Sequence, residues 1–199
     1  MEVTSIKAGL FETNTYLLSE GDDVMLIDPA SKAEKLFPLL EGKKLLAVLL
    51  THGHLDHIKA VDGLYGKYHM PIYVNKEDEE LLHDKTQGYP FGIDNSPVVN
   101  SPVNYLQEGK MNIGPFNFEV LFTPGHTKGS TCFIFDKVLF SGDTLFKMSA
   151  GRTDLKGGDY SDLKHSLQLL KNLRKDYIVY PGHDVSTTLS FEVENNPYM

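Results

Sequence analysis

Four apolar segments of this sequence each end in a short polar turn that contains glycine and at least one histidine or aspartate. They are "LLTHGHLDH", "LFTPGHTKGS", "LFSGDTLF" and "VYPGHD", which begin at residues 49, 121, 139 and 179. Glycine lets a backbone bend tightly, and turns at strand ends are where a rigid sheet can hold side chains in a cleft. The repeated pattern therefore predicts strands whose ends meet around one cluster of histidine and aspartate side chains.

The segments around these turns predict an α/β fold with mixed sheets covered by outer helices. The unbroken apolar run over residues 44–52 is typical of a strand buried on both faces. Other strands, most of them paired in hairpins, are predicted over 14–20, 24–28, 71–75, 110–125, 130–146 and 177–183, the last strand. Helices are predicted over 31–43, 57–69, 76–84 and 159–173. Ser31 would cap the first helix, and Pro38 would weaken it.

Length, charge and cysteine content narrow the class of protein. The 199 residues predict one domain over 1–199. No apolar run approaches the roughly 20 residues needed to cross a bilayer, and no signal sequence is evident, so we expect a cytoplasmic protein with no membrane partner. The 27 acidic and 19 basic residues are well mixed, with a net charge of -8, which argues against nucleic-acid binding. The lone Cys132 lies in an apolar segment and predicts a buried, unreactive thiol.

The histidines and aspartates of the turns suit a pair of divalent metal ions. Neutral imidazole is a good zinc ligand, and an aspartate can bridge two ions through its two oxygens. We assign one ion to His52, His54 and His126, the other to Asp56, His57 and His183, and the bridge to Asp143. Two divalent ions, two carboxylates and a shared hydroxide leave a net positive centre, which would attract an anionic substrate.

Other candidate residues carry less chemical information. His69, His83 and His165 lie in or beside predicted helices without a partner motif, so we expect no metal role for them. Ser130 lies near His126, but no nucleophile motif surrounds it. Residues 86–102 are rich in glycine, proline, asparagine and serine, which predicts a long surface loop that either closes over a substrate or fills space.

Together the turns resemble the metallo-β-lactamase superfamily, and finer features resemble its glyoxalase II-like branch. The likeness runs through "LIDPA", "THGHLDH", "TPGHTKGS", "SGDTLF" with "GRTD", and "PGHD" with "TTLSFEVENNPYM". It implies a four-layered αβ/βα sandwich with a binuclear metal site at one edge of two sheets. Asp28 would lie beside the turn that carries His52 and His54 without binding a metal itself. Asp56, Asp143 and His183 would act in catalysis. The implied reaction is hydrolysis of a small acyl thioester such as S-lactoylglutathione by water that the metals activate.

Differences from full-length glyoxalase II enzymes leave the substrate open. The chain ends soon after His183 without the C-terminal helical domain that binds glutathione, and Val185 stands where a tyrosine is common. Arg152 in "GRTD" lies where the family uses a basic residue near substrate, and a structural salt bridge is an equal alternative for it.

Two alternative reactions remain on the same fold. Persulfide dioxygenases also contain "GRTD" and hold one iron through two histidines and an aspartate, here His52, His126 and Asp143. A hydrolase of another ester or lactone is the second alternative. The "SGDTLF" turn and the C-terminal segment favour the short hydrolases. Histidine and aspartate bind several metals, so zinc is expected with iron or manganese as alternatives, and the oligomeric state stays open.

Overall fold

The computed structural model describes residues 1–199, and most of its strands form two six-stranded mixed sheets. The first sheet follows chain order: β1 (Glu2–Ala8), β2 (Thr13–Glu20), β3 (Asp23–Ile27), β4 (Lys44–Leu49), β5 (Ile72–Val74) and β6 (Asn104–Tyr105). β2 pairs antiparallel with β1 and β3, and the remaining pairs are parallel. The predicted strands 14–20 and 24–28 correspond to β2 and β3, and their predicted pairing in a hairpin is confirmed.

The second sheet has the strand order β14-β13-β10-β9-β8-β7. Its strands are β7 (Gly109–Ile113), β8 (Phe116–Phe122), β9 (Thr131–Phe135), β10 (Val138–Gly142), β13 (Ile178–Pro181) and β14 (Thr187–Thr188). β10 and β13 are parallel, and all other pairs are antiparallel. β11 (Leu145–Phe146) and β12 (Ser149–Ala150) form a separate small hairpin.

Helices cover both outer faces, and three apolar clusters separate the resulting four layers. The helices are α1 (Ala33–Leu36), α2 (Val61–Tyr68), α3 (Glu79–Leu82), α4 (Tyr160–Lys171) and α5 (Leu189–Asn195). Val48 packs with Leu64 of α2 in one cluster, whereas its neighbour Leu49 packs with Phe133 between the sheets. Leu167 of α4 lies in the third cluster. The predicted αβ/βα sandwich and the doubly buried β4 are therefore confirmed. None of the helices has the length and apolar character needed to span a membrane.

The first predicted helix is shorter than expected, and its predicted cap is wrong. α1 ends at Leu36, and a 3₁₀ turn with Pro38 in its first positions follows over Phe37–Leu40. Proline has no N–H to donate, so a regular helix does not continue through it. The N-cap residue is Lys32, because the Ser31 hydroxyl donates to the Lys32 carbonyl instead of accepting from the helix.

Other boundaries differ for local reasons. α2 begins at Val61 because residues 57–60 belong to the preceding turn, and the helix predicted over 76–84 divides into a 3₁₀ turn, Lys76–Asp78, and α3. The expected last strand, β13, is followed by β14 and α5. β1 was not predicted because it is an edge strand without a clean alternation of buried and exposed residues.

Candidate metal centre

The polar turns after the strands converge at one edge of the sandwich. The turn after β4 comes from the first sheet, and the turns after β8, β10 and β13 come from the second. The structure brings together all seven residues that the sequence nominates as ligands: His52, His54, Asp56, His57, His126, Asp143 and His183.

These side chains form two groups of three with Asp143 between them. Metal-ligating atoms lie within 4.8 Å of one another in the group His52, His54 and His126, and likewise in the group Asp56, His57 and His183. Asp143 Oδ2 is 3.5 Å from His126 Nε2 and 3.3 Å from His183 Nε2. Its other oxygen, Oδ1, is 3.5 Å from His57 Nε2. The grouping agrees with the arrangement inferred from the sequence.

The donor atoms fit divalent metal ions. Ligands at about 2.05 Å from a tetrahedral ion are about 3.3 Å apart, and the separations around Asp143 are close to that value. His52 Nε2, His57 Nε2 and Asp143 Oδ1 are buried and have no hydrogen-bond partner. Buried polar atoms without a partner are costly, and a metal would satisfy all three.

Three of the histidines have their tautomer fixed by an oxygen on the far side of the ring. An oxygen that can only accept places the proton on Nδ1 and leaves the Nε2 lone pair facing the centre. The pairs are His57 Nδ1 with Asp28 Oδ2 at 2.9 Å, His126 Nδ1 with the Arg152 carbonyl at 2.7 Å, and His183 Nδ1 with the Phe11 carbonyl at 2.9 Å.

Asp28 supports the β4 turn through Thr51 as well as through His57. Its Oδ1 accepts from the Thr51 N–H at 2.8 Å, and its Oδ2 accepts from the Thr51 hydroxyl at 2.6 Å. Because that hydroxyl donates to Asp28, it accepts from His52 Nδ1, 3.0 Å away, and the His52 Nε2 lone pair faces inward. This is the place that the resemblance implies for Asp28.

The start of β2 contributes a network of hydrogen bonds that the sequence did not predict. Thr13 Oγ1 donates to Asp56 Oδ2 at 2.6 Å. Asn14 Nδ2 and the Tyr16 hydroxyl both donate to the carbonyl of Pro181, at 3.0 and 2.6 Å, and so hold the turn that carries His183. The available signal was the run "TNT", three polar residues that open an apolar strand and are all buried.

Close backbone approach makes glycine necessary beside the bridge residue. A Cβ on Gly182 would overlap Asp143 Oδ1 and lie 2.9 Å from His57 Cε1. A Cβ on Gly151 would overlap the Asp143 carbonyl. The glycines of the sequence motifs therefore give Asp143 the room to lie between the two groups.

Burial and neighbouring charges divide the histidines into two electrostatic classes. Burial lowers the pKa of His52 well below its usual range, and burial with the nearby His126 lowers the pKa of His54 to about 3. Burial also acts to lower the pKa of His57, but Asp56, Asp143 and Asp28 outweigh it and raise the pKa to about 10. His52 and His54 are thus neutral, the form that binds metal, whereas metal binding at His57 displaces a proton.

A cavity of about 320 Å³ opens beside the centre. Five of the seven predicted ligand residues line it, all except His52 and His57, and Phe11, Leu55, Phe91 and Leu155 form apolar walls. Phe11 and Phe91 meet edge to face, with ring centroids 5.1 Å apart. The predicted loop of residues 86–102 therefore borders the cavity through Phe91, whereas Tyr89 is exposed.

Arg152 lines the same cavity but is engaged in an ion pair. Its guanidinium makes two hydrogen bonds to Asp154, at 2.6 and 2.7 Å, and about half of its side chain is exposed. Lys156, also at the cavity, pairs with Glu80 and Asp84 at 2.7 and 3.1 Å. The sequence missed the second contribution of Arg152, the carbonyl that fixes the His126 tautomer.

The residues given no metal role lie elsewhere. None of His69, His83 and His165 belongs to a metal-type group or lines the cavity. The Ser130 hydroxyl is buried against Thr127. Cys132 is buried, as predicted, and burial raises the pKa of its thiol to about 11, which disfavours the reactive thiolate.

Comparison with known proteins agrees with this geometry. A family model described as the metallo-beta-lactamase superfamily matches residues 8–183, a range that contains all seven residues of the cluster. The chain belongs to the metallo-β-lactamase superfamily. The family predicted from the four turns is therefore confirmed.

Two relatives extend over the whole chain. A Bacillus subtilis protein named "Probable metallo-hydrolase YqgX" is 34% identical and matches 100% of this chain and 98% of its own length. The Haemophilus influenzae protein "Hydroxyacylglutathione hydrolase GloC" is 35% identical, again over 100% of this chain and 98% of its own. These relatives support a metal-dependent hydrolase within the metallo-β-lactamase superfamily.

Solved structures of superfamily members superimpose closely. BLEG-1 B3 metallo-β-lactamase gives a TM-score of 0.92 at 36% identity and covers 99% of both chains. TTHA1623 in a di-iron-bound form gives 0.91 at 37% identity, over 99% of this chain and 100% of its own. ETHE1 from Myxococcus xanthus gives a TM-score of 0.79 at 29% identity. The match covers 99% of this chain and 84% of the ETHE1 chain.

Proposed function

We propose that the protein is a binuclear metal-dependent hydrolase of small acyl thioesters, with S-lactoylglutathione as a candidate substrate. The observation that carries the proposal is the pair of three-residue groups with the two oxygens of Asp143 between them. Similarity over the whole chain to the protein named hydroxyacylglutathione hydrolase GloC supports the choice of thioester.

Two divalent ions, when bound, supply Lewis-acid polarisation of the carbonyl and acidify a water molecule. Zinc is the expected metal. The likeness to TTHA1623, whose structure is in a di-iron-bound form, supports iron as an alternative, and manganese is a second alternative. The chain's own residues orient the ligands: Asp28 holds His57, and Thr13 holds Asp56. In this proposal Asp56, Asp143 and His183 take part in catalysis as ligands of the reacting site.

Thioester hydrolysis needs little proton donation from the protein. A bond forms between the water oxygen and the acyl carbon, the carbon–sulfur bond breaks, and the protons of the water pass to solvent and to the thiolate after it has left. The thiolate leaves without prior protonation because a thiol has a pKa of about 8.5, far below that of an alcohol. The cavity lining offers no tyrosine, and its lysine and arginine are ion-paired, which suits a leaving group of this kind.

The cavity suits a small substrate with an apolar part. The walls formed by Phe11, Leu55, Phe91 and Leu155 would contact methylene or acyl groups. A carboxylate on the thiol carrier would meet Arg152, whose half-exposed pair with Asp154 is weak in water and can exchange partners. We propose this substrate role for Arg152. One domain, a cytoplasmic location and the absence of nucleic-acid and membrane partners remain part of the proposal.

Anaerobic purification with elemental analysis, followed by a thioester hydrolysis assay, tests the function. We expect about two metal ions per chain and hydrolysis of S-lactoylglutathione or simpler acyl thioesters. Two ions without turnover of any thioester would contradict the substrate class, and assays with other esters and lactones would follow.

A persulfide dioxygenase is the second candidate. The structural likeness to ETHE1 is compatible with it, and the centre offers two histidines and an aspartate, His52, His126 and Asp143, for one iron. A parallel assay of oxygen uptake with glutathione persulfide separates the two. One iron per chain with oxygen consumption would replace the hydrolase proposal.

A further inference from the structure

Asp78 is a buried carboxylate outside the predicted ligand set. It ends the 3₁₀ turn Lys76–Asp78 that leads into α3, and its exposed fraction is 0%. It takes part in none of the protein's ion pairs. Burial raises its pKa above the ordinary value for aspartate. A buried carboxylate without a cation is costly, so its surroundings must supply compensating donors.

Three short hydrogen bonds supply that compensation, and they come from two different turns. Asp78 Oδ2 accepts from the Gly53 N–H at 2.8 Å and from the Thr127 hydroxyl at 2.7 Å. Asp78 Oδ1 accepts from the Gly129 N–H at 2.7 Å. Gly53 lies between His52 and His54, and Thr127 follows His126 directly. One carboxylate therefore joins the two turns that supply the first group of three histidines.

Both turns approach Asp78 more closely than a side chain would allow. A Cβ on Gly129 would lie 2.6 Å from Asp78 Cγ, and a Cβ on Gly53 would lie 3.0 Å from the Asp78 carbonyl oxygen. The two glycines therefore let the backbone N–H groups of both turns reach the Asp78 carboxylate directly. The carboxylate can then set the spacing between the two turns. No ligand side chain is hydrogen-bonded to Asp78.

We propose that Asp78 is a positioning residue for the metal ion held by His52, His54 and His126, and that it acts by fixing the distance between their two turns. This inference rests on the proposed metal centre but not on the choice of substrate. Residues that orient metal ligands in this way typically change metal affinity by about 10- to 100-fold when they are replaced.

The test compares Asp78→Asn with wild type by titrating metal-free protein with Zn²⁺ against a competing chelator, and with Co²⁺ followed by its absorption spectrum. In the variant the amide NH₂ faces either the Gly129 N–H or the Gly53 N–H, so at least one backbone hydrogen bond between a turn and residue 78 is lost. We expect one of two ions to bind roughly 10- to 100-fold more weakly, with an altered Co²⁺ spectrum, while the other keeps its affinity.

Asp62→Asn is the matched control. Asp62 is also an aspartate with several hydrogen bonds, to Asn100 and Ser101, but neither it nor these partners line the cavity or belong to a metal-type group. We expect this variant to lose thermal stability and to keep both metal affinities. A role of Asp78 in stability alone would make the two variants behave alike, with unchanged metal binding in each, and that result overturns the inference.

Thr127→Val and Thr127→Ser test the same contact with less risk to folding. Valine removes one of the three hydrogen bonds to Asp78, whereas serine keeps the hydroxyl. We expect a several-fold loss of affinity for one ion with valine and recovery with serine. Equal affinities in both variants would contradict the proposal. Wild-type protein that binds no metal at all would instead contradict the metal centre itself, a result that these titrations distinguish.

Discussion

Asp143 is the residue through which the two halves of the proposed centre meet, since its Oδ2 lies near His126 of one group and His183 of the other, and its Oδ1 lies near His57. Asp143→Ala should therefore reduce the bound metal below two ions per chain and lower turnover by roughly 100-fold or more. Elemental analysis and an activity assay measure both. Asp22→Ala, at an exposed turn, is the control and should retain both properties. A variant of Asp143 with two ions and full turnover would rule out the bridge.

Gly182 tests whether the space beside Asp143 is essential. Gly182→Ala places a methyl group on Asp143 Oδ1 and close to His57, so we expect at least about 10-fold weaker metal binding. Gly66→Ala is the contrasting substitution, because Gly66 lies in α2 with nothing within 4 Å of the added methyl. It should stabilise the fold by roughly 0.5–1 kcal/mol with unchanged metal content. Chelator titration and thermal unfolding measure the two effects.

At the scale of elements, the start of β2 holds the turn after β13. Asn14 donates to the carbonyls of Pro181 and Asp184, and its removal leaves the Asp184 carbonyl without this donor. We expect Asn14→Ala to cost about 1–3 kcal/mol of stability and to weaken metal binding. Tyr16→Phe should cost about 1 kcal/mol, because the Pro181 carbonyl still accepts from Asn14. Equal losses in the two variants, measured by urea unfolding, would contradict this difference.

The N-terminal turn of α2 carries a pH-dependent contribution through Asp62. Partial burial acts to raise the pKa of this carboxyl, but hydrogen bonds from Ser101 and Asn100 outweigh it and lower the pKa below 3.8. A lowered folded-state pKa stabilises the fold at pH values above 3.8, and this stabilisation is lost as the pH falls through the lower folded-state value. Asp62→Asn should thus be less stable than wild type by about 1 kcal/mol at pH 6, and by less at pH 3. Unfolding curves at both pH values measure it.

Element types were more predictable than element boundaries. β4 was predicted correctly because its residues are apolar on both faces, a pattern that a strand between two layers requires. α5 gave no such signal, because its seven residues include only two that are buried, Leu189 and the polar Glu192. Glu192 is buried because the Thr187 hydroxyl, the Met148 N–H and Asn196 donate to it, and these contacts arise only after folding.

At the scale of the whole molecule, the centre joins the two sheets. Four of its side chains come from the turn after β4 in the first sheet, and three come from turns of the second. Each metal ion that binds only the folded state at 100 times its Kd stabilises by about 2.7 kcal/mol, so two ions stabilise by about 5.4 kcal/mol, or roughly 10–20 °C for a chain of this size. Chelation should therefore lower the Tm by about that amount.

Hydrogen exchange locates this effect within the molecule. Chelation should speed amide exchange in the ligand turns of both sheets and leave the cores of β3, β4 and β9 protected. The Asp143→Ala variant is the control, since chelation should change its Tm and its exchange much less. A chelator effect of the same size in that variant would show that the change does not come from the centre.

The sequence by itself indicated the superfamily through the resemblance of its motifs, and it predicted the α/β architecture and the clustering of seven side chains, because each of these side chains follows an apolar strand within a few residues and this local pattern is visible without the fold. Only the tertiary structure decided which nitrogen of each ring faces inward. The Phe11 carbonyl orients His183 and the Arg152 carbonyl orients His126, and every residue has such a carbonyl. The hydrogen-bonding roles of Asp78 and of the start of β2 could not be predicted from the sequence for the same reason. Their partners lie far away in the chain, and a hydrogen bond between distant segments is specified by their packing and not by their spacing.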